Sequence, residues 1–242
     1  MDGGWWTKKR VASERFSLGK ELCIVHCEFL KVQGIAVMKI ISIARLEKKK
    51  DKFSVVFEDG AEIQVSAVQI ADFGIYSGRE IADDEYVELC GAIALSSSKA
   101  KSLRILGNRN MSAGEVKKRL VSRGVAVETA GETVEWLESV GAVDDKEYAA
   151  MIVRHYASKG YGLARIKDEL YKRGIPRDIW DEAIPEIEGF TDAAQDFLEK
   201  KLRGSSDKDD IRRATDALCR RGFSYSEAID AVRHYLDMMD RN

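Results

Sequence analysis

A few side chains in this 242-residue sequence have the types that metal binding requires. Cys23, His26 and Cys27 form one cluster, and Asp144-Asp145 and Asp207-x-Asp209-Asp210 are two groups of carboxylates. A structural zinc site needs four ligands, and the cysteine cluster has no second ligand pair. Acids at helix starts are expected from capping and from the helix dipole alone. We therefore predict no metal and no cofactor.

Catalysis requires convergent groups with tuned protonation states, and the sequence offers no such set. His155 and His234 each lie within Arg-His-Tyr, but at positions that are not equivalent in the repeats described below. Gly160-Tyr161-Gly162 has no preceding strand and no following Gly-Lys-Ser/Thr, so it is predicted as a turn between helices. We predict that the protein is not an enzyme.

The elements that position all these residues are organised by a recurring Arg-Gly pair. The pairs are Arg123-Gly124, Arg173-Gly174 and Arg221-Gly222, whose glycines lie 50 and 48 residues apart. A leucine stands four residues before each glycine, which is the spacing of one helix face. Glycine can adopt the left-handed conformation that closes a helix end. The period indicates tandem helical repeats.

Capping signals divide each repeat into three helices. Ser112-x-x-Glu115, Thr129-x-x-Glu132 and Ser224-x-x-Glu227 fit the capping box, and Asp144-x-x-Glu147 is a variant of it. Residues 85–106 are predicted to form one long helix or two short ones. The predicted repeats are residues 81–143, 144–190 and 191–242, which together form an elongated, curved array.

Alternating apolar residues predict strands before the repeats. The strands are residues 39–43, 53–58 and 61–65, and Asp59-Gly60 is a strong hairpin signal between the last two. Ser66-x-x-Gln69 predicts the cap of a short helix that ends near Gly74. The fold class is therefore mainly α, with a small three-stranded lobe at residues 38–80.

The composition excludes several classes of protein. Lys and Arg number 39 against 41 Asp and Glu, which describes a salt-bridged helical surface and not a uniformly basic protein. A local basic face remains compatible with this balance. No apolar run approaches the roughly 20 residues that span a bilayer, and the four cysteines show no disulfide framework. We expect a cytoplasmic protein without a membrane partner.

Residues 1–37 differ from the rest, because they carry no repeat signal. A basic segment precedes an interrupted apolar stretch at 21–30, which fits a secretory signal poorly because no small-residue cleavage site follows. Our hypothesis is that translation starts at Met38, or that this extension is disordered.

From residue 39 onward the chain resembles RecX, the bacterial regulator of the recombinase RecA. The resemblance is carried by Ser112-x-x-Glu115-Val116-x-x-x-Leu120 with Arg123-Gly124, by Trp136-Leu137, and by Gly141-x-Val143-Asp144-Asp145-x-x-Tyr148-Ala149. It continues through Gly160-x-Gly162-x-x-x-Ile166-x-x-x-Leu170 and Arg173-Gly174-Ile175, so the most specific stretch is 104–187. About 205 residues are covered, and the first 37 are not.

The resemblance implies a non-enzymatic cytoplasmic protein of tandem three-helix repeats in the groove of the RecA–DNA filament, and we expect it to be a monomer. There it would inhibit ATP hydrolysis, strand exchange and cleavage of the SOS repressor, and so act in homologous recombination and DNA repair. The family supplies no catalytic residues. We predict that partner binding uses the basic residues of the central repeat, namely Arg154, Lys159, Arg165, Lys167, Lys172 and Arg173.

The alternative is a module that binds single- or double-stranded DNA directly. Three-helix units with a basic second helix also suit the major groove. Acids such as Asp168 and Glu169 lie among these bases, and no triplet of base-reading side chains stands out. The sequence leaves both interpretations open.

Overall fold

The computed structural model describes residues 37–47, 51–107, 109–184 and 190–239. The chain forms two compact units that divide after Ala100. Residues 1–36, with the Cys23, His26 and Cys27 cluster, lie outside the described residues, and so does Ile187.

The first unit contains an antiparallel sheet. Its strands are β1 (Val37–Arg45), β2 (Lys52–Phe57), β3 (Glu62–Ser66) and β4 (Glu80–Ala82), in the order β3-β2-β1-β4. The predicted hairpin is confirmed, since Val55 lies opposite Ile63 and Gly60 has a φ of 86°.

The prediction of three strands is wrong, because β4 adds a fourth. It pairs with β1 through Met38 opposite Ile81, and both side chains are buried. Three residues are too few to show the period-2 alternation by which a strand is recognised in a sequence. Tertiary pairing with β1 therefore decides that this segment is extended.

Two helices follow the strands. α1 (Ala67–Asp72) begins with the predicted capping box of Ser66 and Gln69. α2 (Asp83–Leu106) is one continuous helix of 24 residues, which settles the choice between one long helix and two short ones. Apolar residues of the sheet, the loop before β4 and the start of α2 form one core: Met38, Ile40, Val55, Phe57, Ile63, Val65, Ile75, Ile81, Tyr86 and Leu89.

The second unit is helical in its described residues. After the end of α2 it contains α3 (Ala113–Ser122), α4 (Val127–Ser139), α5 (Asp145–Ser158), α6 (Leu163–Lys172), α7 (Arg177–Ala183), α8 (Phe190–Leu202), α9 (Lys208–Arg220) and α10 (Tyr225–Met239). This confirms the mainly helical class with helical repeats after a small β lobe. The exact bounds 81–143, 144–190 and 191–242 stay a prediction.

Each group of three helices has its own apolar core. The first core includes Ile105 at the end of α2 with Val116 and Leu120 of α3. The second includes Ile152, Ile166 and Leu170, and the third is formed by α8, α9 and α10 around residues such as Leu198 and Leu218. The spacing of leucines and isoleucines in the sequence therefore marked core positions.

The helix ends follow the glycine pattern. Gly124, Gly174 and Gly222 lie just past α3, α6 and α9 and have φ values of 75°, 67° and 96°. Only glycine adopts this region without strain, so the predicted left-handed helix ends are confirmed.

The predicted caps are confirmed except one. Ser112 and Glu115 form a reciprocal capping box, Ser224 and Glu227 form another, and the Asp144 carboxylate accepts from the N–H of Glu147. Thr129 is not a cap, because α4 begins two residues earlier at Val127 after Ala126. The N–H of Ala130 bonds to the carbonyl of Ala126 at 2.9 Å, so the first helical turn already contains Thr129.

Candidate functional site

The middle helices of the three groups, α3, α6 and α9, contact one another end to end, and we call them the middle-helix row. The C-terminal end of α9 meets the N-terminal end of α6, and the C-terminal end of α6 meets the N-terminal end of α3. The contacts that establish this order are backbone hydrogen bonds and close glycine approaches. A helix start has unpaired N–H groups and a helix end has unpaired carbonyls, so each end supplies what the other lacks.

The joint between α9 and α6 consists of direct backbone bonds. The N–H of Gly162 donates to the carbonyl of Arg221 at 3.0 Å, and the N–H of Ala164 donates to the carbonyl of Gly222 at 3.0 Å. A Cβ at Gly162 would overlap the backbone of Gly222. Glycine at position 162 is therefore required by the close approach of two backbones.

Arg221 extends this joint to the end of α5. Its Nη1 donates to the carbonyls of Lys159 and Gly160 at 3.2 and 3.3 Å, and its guanidinium lies 5.3 Å from the ring centre of Tyr161. It also lies 4.6 Å from the ring centre of Phe197. One arginine thus binds a helix end and stacks on two aromatic rings.

The joint between α6 and α3 uses side chains. The Ser112 hydroxyl donates to the carbonyl of Arg173, and the Asp145 carboxylate accepts from the N–H of Ala113 at 2.8 Å. A Cβ at Gly114 would lie 2.8 Å from the carbonyl oxygen of Gly174. In each joint a glycine at the start of one helix, which is the N-cap Gly162 or the first-turn residue Gly114, lies against the Arg-Gly end of its neighbour.

The solvent side of the row is rich in bases. Over residues 113–123, 163–173 and 208–221 the exposed acids are Asp168, Asp209 and Asp216. The exposed bases over the same residues number nine: Lys117, Lys118, Arg123, Lys167, Lys172, Lys208, Arg212, Arg213 and Arg220. A nearly neutral chain therefore carries a local excess of positive charge along one series of helices.

Four of the six predicted binding residues are exposed. Arg154 lies on α5 and pairs with Glu147 at 3.2 Å, and Lys159 is at the C-terminal end of the same helix. Lys167 and Lys172 lie on the exposed side of α6. Lys167 forms no ion pair with any described residue, so its charge is available to a partner.

The other two predicted residues, Arg165 and Arg173, are held by a buried carboxylate. The Glu169 side chain is only 9% exposed, and its Oε1 lies 3.0 Å from Nη2 of Arg165. Arg173 binds the other carboxylate oxygen and also donates to the carbonyl of Glu169. Lys172 lies 3.6 Å from the same carboxylate. The structure thus brings three of the predicted bases together around one acid.

Competing effects set the charge of this cluster. Burial alone would raise the pKa of Glu169, but hydrogen bonds from Arg173 and Tyr156 and the charges of Arg173 and Arg165 lower it below its usual value. Burial opposes the charge of Arg173, while its bonds to Glu169, Tyr156 and Tyr148 raise its pKa. Glu169 and Arg173 are therefore both ionised at neutral pH, and their ion pair stabilises α6.

Asp145 has the opposite environment. Burial raises its pKa, the hydrogen bond from Ala113 opposes this rise, and the nearby charges of Asp144 and Glu115 add to it. Tyr148, Arg109 and Glu115 complete the polar surroundings of the joint, with Arg109 2.6 Å from Glu115. The α3–α6 joint is therefore polar, whereas the cores on either side of it are apolar.

Sequence reasoning missed the bases of α3 and α9. Lys117 is aligned with Lys167 when the repeats are superposed on their glycines, and Arg220 is aligned with Lys172. The same alignment would have found them, but the prediction was restricted to the central repeat. The sequence also could not distinguish the exposed bases from Arg165 and Arg173, because only the structure shows that Glu169 binds these two arginines.

Neither a metal site nor a membrane-spanning helix is found in the described parts of the chain. No group of three or more His, Cys, Asp or Glu residues there has the geometry to hold a metal ion. None of the described helices combines the length and apolar character needed to cross a membrane.

Comparison with known proteins agrees with this architecture. Residues 144–184 match the family model described as RecX, second three-helix domain. Two crystal structures resemble the fold. The first is of regulatory protein RecX and has a TM-score of 0.64 and 19% sequence identity; the match covers 78% of this chain and 96% of that one. The other is RecX from Lactobacillus salivarius, with a TM-score of 0.55 and 22% identity over 60% of this chain and 97% of that one.

Sequence relatives are closer. A regulatory protein RecX from Xanthomonas axonopodis pv. citri is 32% identical over 140 residues, which are 57% of this chain and 86% of the relative. Another, from Streptococcus gordonii, is 26% identical over 198 residues, which are 80% of this chain and 77% of the relative. With the matched three-helix domain, these relatives show that the chain belongs to the RecX family of regulatory proteins.

Proposed function

We propose that this protein is a non-enzymatic cytoplasmic regulator that binds the RecA–DNA filament as a monomer. Bound there, it inhibits the ATPase, strand exchange and coprotease activities of RecA in recombination and the SOS response. The observation that carries the proposal is the middle-helix row with its nine exposed bases. A filament of protein on DNA exposes phosphates in its groove, and a row of bases fits a linear polyanion.

The predicted binding residues divide into two roles in this proposal. Arg154, Lys159, Lys167 and Lys172 contact the partner, because their side chains are exposed. Arg165 and Arg173 keep α6 in place through Glu169, because their guanidinium groups are engaged inside the chain. Loss of either arginine should therefore displace α6 and, as a result, weaken binding to the filament.

The test is inhibition of the DNA-dependent ATPase of RecA by Lys167→Glu/Arg220→Glu. Both side chains are exposed and form no ion pair with a described residue, so charge reversal should leave the fold intact. We expect the concentration for half-inhibition to rise about tenfold or more, since attraction becomes repulsion at two positions. The matched control is Lys200→Glu/Lys201→Glu on α8, which makes the same charge change outside the row and should inhibit like the wild type.

Undiminished inhibition by the row variant would move the partner surface away from α6 and α9. Failure of the wild type to inhibit at all would refute the proposed function. Circular dichroism of each variant gives the helix content that makes these comparisons valid.

Direct DNA binding remains a second candidate, and the same exposed bases favour it. The two functions differ in affinity for bare DNA. A direct binder should bind DNA without RecA with a steep dependence on salt. A filament regulator should bind the filament much more tightly than the same DNA alone, and titration of both at one salt concentration separates the two.

A further inference from the structure

The three helices of the row end in the same way, but only two of these ends are occupied. Arg173-Gly174 at the end of α6 receives the first turn of α3, and Arg221-Gly222 at the end of α9 receives the first turn of α6. Arg123-Gly124 at the end of α3 is the third equivalent. It is at the terminus of the row, where no described helix start is in contact with it.

The unoccupied end retains the parts that the occupied ends use. Gly124 has a φ of 75° and Arg123 is exposed. A Cβ at Gly124 would meet nothing within 4 Å, whereas a Cβ at Gly222 would overlap the backbone of Arg165. The space that the next helix fills at Gly222 is therefore open at Gly124.

The fold of this chain gives a reason for a glycine at position 124 but none for an arginine at position 123. A left-handed helix end accounts for Gly124 by itself. In the other two pairs the arginine has structural contacts, to Glu169 for Arg173 and to two carbonyls for Arg221. The Arg123 guanidinium forms no hydrogen bond or ion pair with a described residue. Its five donors are free to bind carbonyls of another molecule, as those of Arg221 do within this chain.

We propose that the Arg123-Gly124 end of α3 is a docking site for the N-terminal turn of a helix in a protein partner. The N-cap and second residues of that helix are small, as Gly162 and Ala164 are in α6 and Ser112 and Gly114 are in α3. Its first N–H groups bond to the carbonyls of Arg123 and Gly124. This inference rests on the proposed function, and it names the protein component of the filament, not its DNA, as the occupant.

A second copy of this chain does not offer the complementary end. The other terminus of the row is the start of α9, where the Asp207 side chain already accepts from the N–H groups of Asp209 and Asp210. Asp207 and Asp209 are the N-cap and second residues of α9, where α6 has Gly162 and Ala164 and α3 has Ser112 and Gly114. Head-to-tail association of copies would therefore place two larger, acidic side chains in a joint that admits small ones.

The test uses Gly124→Asn in the full chain. Asparagine tolerates the left-handed region, so the helix end and the melting temperature should change little, but its side chain fills the docking space. We expect binding to RecA filaments on single-stranded DNA to weaken about tenfold or more, with binding to the same DNA without RecA unchanged. Arg123→Ala, an exposed substitution, should weaken filament binding in the same direction.

The matched control is Gly141→Asn. Gly141 also follows a helix, has a φ of 67° and has nothing within 4 Å of an added Cβ, but it belongs to α4 and follows valine. This variant should bind filaments like the wild type.

The possible results are distinct. Wild-type binding by Gly124→Asn and Arg123→Ala would overturn the docking site and leave the proposed function standing. Equal weakening by Gly124→Asn and Gly141→Asn would also overturn it. A wild-type dimer in sedimentation that Gly124→Asn abolishes would make a second copy the occupant and refute a protein partner. Absence of wild-type filament binding would refute the proposed function and this inference with it.

Discussion

At the scale of single residues, the stability of the central repeat depends on the negative charge of the Glu169 carboxylate. Its carboxylate is nearly buried and is the common partner of Arg165, Lys172 and Arg173. A buried ion pair contributes little net stability, but removing one partner leaves the other charge uncompensated in a poorly solvated place.

Glu169→Gln should therefore destabilise the protein by about 2–3 kcal/mol at pH 7. Because the pKa of Glu169 is lowered in the folded state, its stabilising contribution is present above the unfolded pKa of about 4.3 and is lost as pH falls through the folded value. The difference between variant and wild type should shrink below about pH 4. Urea unfolding followed by circular dichroism at neutral and acid pH measures it.

Glu182→Gln is the control for this prediction. Glu182 pairs with Lys146 at 2.8 Å, but both side chains are about two-thirds exposed, at 64% and 66%. Exposed pairs contribute little, so no measurable change is expected. A Glu169→Gln effect of equal size at neutral and acid pH would show that packing, and not charge, is responsible.

The helix-end glycines allow a second prediction at the residue scale. Gly174→Val should destabilise the protein by about 1–2 kcal/mol, because a β-branched residue fits poorly at a φ of 67°. Both side chains crowd the start of α3, but Gly174→Asn should lose less than the valine variant, since asparagine visits this backbone region. Equal stability of the valine and asparagine variants in thermal unfolding would contradict a conformational cause.

At the scale of elements, the row depends on close contact between helix ends. The three apolar cores do not cross these joints, which consist of backbone bonds and polar side chains. Helix ends that bond to one another satisfy N–H and carbonyl groups that would otherwise need water. The alignment of exposed bases over the row therefore depends on two small contact areas.

Gly162→Ala tests this dependence. The added methyl group would overlap the end of α9, and relief of the clash should cost about 1–3 kcal/mol. Gly131→Ala is the control, because Gly131 lies inside α4 and its Cβ would meet only the end of Lys117 at 3.7 Å. There alanine should stabilise the helix by about 0.5–1 kcal/mol. Thermal unfolding of both variants gives the comparison, and a neutral Gly162→Ala would show that the joint is loosely packed.

At the scale of the whole molecule, the net charge gives no indication of the local excess of bases on the middle-helix row. The chain has a formal charge of −2, yet along α3, α6 and α9 nine exposed bases outnumber three exposed acids. Binding to a phosphate backbone should therefore weaken with salt, since each neutralised phosphate releases counterions.

Lys167→Glu/Arg220→Glu should reduce the slope of log affinity against log salt by about 1.4–1.8, which corresponds to two lost phosphate contacts. The measurement is filament or DNA binding at several salt concentrations, with Lys200→Glu/Lys201→Glu as the control. A lower affinity with an unchanged slope would mean that these two bases contact protein groups and not phosphates.

The sequence by itself determined the local structure of this protein. Glycine spacing located the ends of α3, α6 and α9, because a left-handed helix end depends on one residue and the turn before it. Asp59-Gly60 located the hairpin for the same reason. Apolar periodicity identified the core residues Ile166 and Leu170, since one helix face is fixed by the helix period.

Tertiary structure decided everything that joins residues distant in sequence. Ser112 and Arg173 are 61 residues apart, as are Arg221 and Gly160, and no local pattern records their contacts. The same holds for β4, which is a strand only because β1 pairs with it. Periodicity distinguishes a buried face from an exposed one, but only packing shows which bases are bound by Glu169 and which remain open to a partner.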